Sequence, residues 1–68
     1  MPIFFHQSVM TPNGPGTVQG RLVEKDETIK ILVSHDPRKT ELPPQLMEKY
    51  HGGPWVLWAY PPEDVTPQ

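Results

Sequence analysis

The chain has no cysteine. That excludes a disulfide staple, a thiolate nucleophile and a cysteine-based zinc site. No sign of charge dominates either: six Lys and Arg stand against eight Asp and Glu, leaving a formal −2. Without a basic block, no general phosphate-binding surface is advertised, although a local basic face remains open. Long apolar runs are also missing. None reaches the roughly 18 residues that a membrane helix needs. The opening "MPIFFHQSVM" lacks a basic n-region, a long apolar core and a small-residue cleavage site, so no signal peptide is expected. These absences predict a soluble, cytoplasmic protein with no membrane partner.

What is abundant is proline: ten in 68 residues, gathered at turns and at the tail. Many reversals and few helices follow. The length suits one small domain, residues 1–68. A domain this small buries only about 60% of its unfolded surface. Any further stability has to come from a partner or from self-association.

Period-two patterns mark the strands. Residues 4–10 read as a first strand, with Phe4, His6 and Ser8 on one side and Phe5, Gln7 and Val9 on the other. "TPNGPG" is turn chemistry: Pro12 presets its own φ, and Asn-Gly followed by Pro-Gly favours reversals. Residues 17–24 form a second strand, where Gly20 predicts a bend or a close backbone approach. "EKDE" is a polar hairpin loop. In the third strand, residues 28–34, Ile29, Ile31 and Val33 alternate with Lys30, Leu32 and Ser34.

Residues 36–54 form a long proline-rich loop, with room for a short helix only at 45–50. "WVLWAY", residues 55–60, is the last full strand. "PPEDV" predicts a single helical turn, and residues 66–68 a frayed end.

"VMTPNGPGTVQG", "KILVS" and "AYPPEDV" resemble SH3-like barrels of the KOW and Tudor kinds. The resemblance covers most of residues 9–65 outside the proline-rich loop. It implies an all-β fold: a small, strongly bent antiparallel barrel of about five strands. It also implies a binding module that engages proteins, RNA or DNA through loops and exposed aromatics. The chain departs from peptide-binding SH3 domains in lacking an acidic, tyrosine-rich first loop. It also lacks the clustered aromatics of a methyl-lysine cage.

Strand 55–60 is apolar on both faces, and a small barrel has one inside. Either the loop folds over one face through Leu46, Met47 and Tyr50, or that face meets a partner or a second copy. The expected protein-binding residues are therefore Trp55, Trp58, Tyr60, Tyr50 and Met47. In the alternative, a nucleic-acid module, Arg21, Lys30, Arg38 and Lys39 would meet phosphates and an aromatic such as Trp58 would stack on a base.

Catalysis is not expected. His6, His35 and His51 have no ligand-like spacing, so no metal is expected, and nothing implies a cofactor. "NGPG" lacks the Lys-Ser/Thr and the helix of a phosphate loop. A remote alternative is an oligomeric small-barrel enzyme. "VQG" and Tyr60-Pro61 faintly echo the tetrameric plasmid-type dihydrofolate reductases, whose active-site strand motif is absent here.

Overall fold

The alternation after Thr28 becomes an interior strand of a sheet. In the computed structural model, which describes residues 5–68, β3 spans Ile29–His35 and pairs antiparallel on both sides. Its neighbours are β2 (Gly14–Val23) and β4 (Val56–Tyr60). Beyond β2 lie β1 (Ser8–Thr11) and β5 (Thr66–Pro67), giving the order β4-β3-β2-β1-β5. The fold is all-β, one five-stranded antiparallel sheet with little helix. Its two ends do not pair with each other, so the sheet is open.

Turn chemistry sets the corners. Only Pro12 and Asn13 turn the β1–β2 hairpin, because Thr11 already pairs with Gly14. Thr11 Oγ1 donates to Gly14 O at 2.8 Å and accepts from Asn13 N at 3.2 Å. Gly14 takes the positive φ of 108° that the corner needs. Pro15 and Gly16, expected in the turn, instead lie in β2. At the β2–β3 corner, Glu24 N donates to Thr28 O, and Glu27 carries the left-handed φ of 68°. Gly20 does mark a bend: the β2–β3 register shifts between Val18 and Gly20, a bulge in the long strand.

Two expectations are corrected. The first strand starts at Ser8, because the positive φ of 66° at His6 interrupts it; Phe4 lies outside the described residues. The tail is not frayed. Pro67 pairs with Val9, Thr66 with Met10, and Gln68 N donates to Ser8 O at 3.0 Å. The turn at "PPEDV" is a 3-10 turn, Pro62–Asp64, which delivers the chain into β5.

The core has two parts. Val9, Val18, Ile31, Val33, Tyr60 and Val65 pack on one face of the sheet. Leu42, Leu46 and Val56 form a second cluster, and Trp58 packs against both. Leu46 comes from α1 (Pro44–Met47), a single turn opened by proline at its first position. Backbone bonds from Lys49 to Leu46 and from Tyr50 to Met47 carry the winding onward. Among the described residues, no helix is long and apolar enough to cross a membrane.

Leu46 is the only buried residue of α1 and is fully buried. Leu46→Ala is expected to cost about 2–4 kcal/mol, since so small a cluster cannot refill the gap. Urea unfolding checks this. A cost below about 1 kcal/mol would mean that the loop does not hold the sheet.

Candidate functional site

β4 sorts its aromatics by parity. Val56 and Tyr60 point inward and are buried, and Trp58 is half-buried between the two clusters. Trp55, which precedes the strand, and Leu57 are exposed, at 53% and 44%. Across the outer face, Leu57 pairs with Ser34, and Ala59 pairs with Leu32.

Two hollows meet at Trp55, which lines both. A groove of about 560 Å³ runs between residues 55–59 and the Lys49, His51 and Gly53 side of the loop. A more polar hollow of about 350 Å³ lies toward Thr17, Gln19, Ser34, Asp36 and Lys39. Inside it, Ser34 Oγ donates to Thr17 O and accepts from Gln19 Nε2 at 3.0 Å.

The expected protein-binding residues thus divide. Trp55 is exposed at the groove, and Met47 is exposed on α1. Trp58 lines the groove floor while serving the core. Tyr50 packs on the second cluster. Tyr60 is buried with its hydroxyl engaged, so it supports the surface and does not form it. Leu57 was not among the expected residues. Strand parity with Trp55 was the signal that could have found it.

The basic residues do not gather. By register Arg21 sits opposite Ile31 and Lys30 opposite Leu22, so the two point to opposite faces of the sheet. Lys30 Nζ is 3.2 Å from Glu24 Oε1, and Arg38 Nε is 3.7 Å from Asp36 Oδ1. Arg38 and Lys39 belong to the turn that Asp36 organises: Asp36 Oδ1 accepts from Arg38 N, and its carbonyl accepts from Lys39 N and Thr40 N.

A polar chain that the sequence did not announce runs from the core out to the surface. His35 is fully buried. Its Nδ1 lies 2.9 Å from Pro15 O and its Nε2 2.7 Å from the Tyr60 hydroxyl. Nδ1 faces a carbonyl, so it carries the proton, and Nε2 accepts from Tyr60. Asn13 Nδ2 donates to the same hydroxyl at 2.8 Å, and Gln45 Nε2 donates to Asn13 Oδ1 at 2.7 Å. Burial lowers the His35 pKa below its usual 6.5, against the partial support of the Pro15 carbonyl. Extending the Ile31–Val33 alternation by one step places His35 on the inner face, which was the available signal.

Among the described residues, no three His, Cys, Asp or Glu side chains converge as metal ligands. The Tyr60 hydroxyl beside the His35 ring is engaged by both His35 and Asn13. Compared with known protein families, curated proteins and solved structures, the chain matches none.

Proposed function

We propose that this protein is a non-catalytic protein-interaction module, a small accessory subunit or adaptor of the cytoplasm. The observation that carries the reading is the exposed Trp55–Leu57 ridge beside the groove along β4. Large apolar side chains left in water beside a groove are typical of interaction surfaces, and Trp is a favoured anchor. A small barrel of the SH3-like kind, open at one seam, is the architecture we assign. Its support is the strand order, the kinked long β2 and the 3-10 turn before β5. The nucleic-acid alternative finds less support, because Lys30 and Arg38 already face carboxylates and Arg21 lies across the sheet from Lys30.

The test is a pull-down from host lysate with and without nuclease, at low and moderate salt. The expected complex survives both treatments. Trp55→Ala, at a half-exposed position outside both core clusters, should keep its circular dichroism and weaken capture roughly 30-fold. Binding that vanishes with nuclease, or falls steeply with salt, overturns the reading in favour of nucleic acid.

A further inference from the structure

The two ends of the sheet are treated very differently. β5 is two residues long and ends in Pro67, which has no N–H to offer. Such an edge is blunted. β4 is five residues, Val-Leu-Trp-Ala-Tyr, with no proline and no charge. Alternate residues of an antiparallel strand turn their N–H and C=O away from the paired neighbour. Among the described residues, no turn or loop backbone bond reaches residues 55–60 on that side. Pro54 and Pro61 bound the free edge, so an incoming strand can pair over about five residues.

We infer that the occupant of this edge is a second copy of the chain, its own β4 laid antiparallel across a two-fold axis at Trp58. This rests on the protein-interaction reading and names its partner. In that register Leu57 meets Ala59 of the second copy, and Ala59 meets the copy's Leu57. The largest exposed side chain of the strand is thus set opposite its smallest, twice, on one face. Val56 and Tyr60 fall opposite each other by register with their side chains already buried in their own folds, and Trp58 meets its counterpart, which covers the part of the indole that the fold leaves open. Both partners supply the same five residues, so neither edge is left with an overhang. No charged residue lies between Trp55 and Pro62, so the strand segments themselves oppose no like charges, and Lys49 and His51 stand at the loop side of the groove. The two five-stranded sheets become one continuous sheet, and the contact is isologous, which closes the assembly at two chains. An unrelated extended peptide could also dock on the edge, but it has no reason to carry this reciprocal Leu–Ala match.

A pairing this short is small for a protein interface, so a dissociation constant of roughly micromolar or weaker is expected. Sedimentation equilibrium on the full chain, from ~1 μM to ~1 mM, reads it directly. The expected result is a rise from the single-chain mass of 7.8 kDa toward twice that value and no further. Leu57→Lys, on an exposed position, should hold the mass at one chain throughout. A single-chain mass of the unmodified protein at every concentration overturns the inference. So does a Leu57→Lys variant that still dimerises, because the register would then be different. If that variant loses its sheet signature, the concentration series on the unmodified chain decides alone. A monomer whose capture of another protein still depends on Trp55 refutes the self-pairing and leaves the interaction module standing.

Discussion

Gly16→Ala should destabilise the protein by about 3 kcal/mol or more, while Gly20→Ala should be neutral or slightly stabilising. The contrast arises from space, not from backbone freedom, since neither glycine holds a positive φ. A β-carbon on Gly16 would run into Val33 Cγ1 and lie 2.8 Å from Ser34 O and 3.2 Å from His35 Cε1. Val33 is fully buried and cannot swing clear, and Ser34 O is main chain. Relief requires β2 to draw away from β3, which costs packing in the larger core cluster. At Gly20 a β-carbon meets nothing within 4 Å. Guanidinium unfolding of the two variants measures the difference. Equal midpoints would show that β2 and β3 tolerate separation at Gly16, against the close approach described.

These glycines also show where local pattern stops being informative. Sequence periodicity identified Gly20 as special, and the bulge there is a strand property readable from its neighbours. The close approach belongs to Gly16, and it is created by β3 residues 17 and more positions away. Turn chemistry could be read at "EKDE" and "PPEDV", whose conformations depend on residues next to them. The pairing of Thr66–Pro67 could not, because a short polar tail becomes a strand only once β1 offers an edge. The same limit governs the site. Both faces of residues 55–60 are apolar in sequence. Which one faces water was settled by Leu42 and Leu46 arriving from the proline-rich loop to pack on Val56. Met47, one residue on, turns outward at 50% exposure. The basic residues were legible as types but not as a group. Only the register reveals that Arg21 and Lys30 share no face.

The second large effect lies in the polar chain that runs from Pro15 through buried His35 and Tyr60 to Asn13 and, at the surface, Gln45. It ties β2, β3 and β4 to the β1–β2 turn and to α1, so one hydroxyl anchors most of the fold. Tyr60→Phe removes that hydroxyl. His35 Nε2 and Asn13 Nδ2 then each lose a partner, and the expected loss is about 1–3 kcal/mol with the ring packing kept. The chain also dictates a pH dependence. Neutral His35 satisfies it: one nitrogen donates to Pro15 and the other accepts from Tyr60. A second proton on Nε2 would face the Tyr60 hydroxyl as a donor and force it to turn away. Unfolded His35 takes that proton near its usual 6.5, whereas the buried ring resists until lower pH. The unfolded state therefore binds more protons in this window. Stability is full above about pH 6.5 and declines as the pH falls through the lower, folded value. Asp26 acts in the same direction but further down. Its bonds with the Thr28 side chain and N–H hold its carboxyl below 3.8, so its contribution is lost only in stronger acid. Urea midpoints at pH 7.5, 6.5, 5.5 and about 4.5 should fall across this range in the unmodified chain. His35→Gln should be less stable at pH 7.5 but lose most of that slope. A flat profile in the unmodified chain, or an undiminished slope in His35→Gln, would remove His35 from the account of the pH dependence.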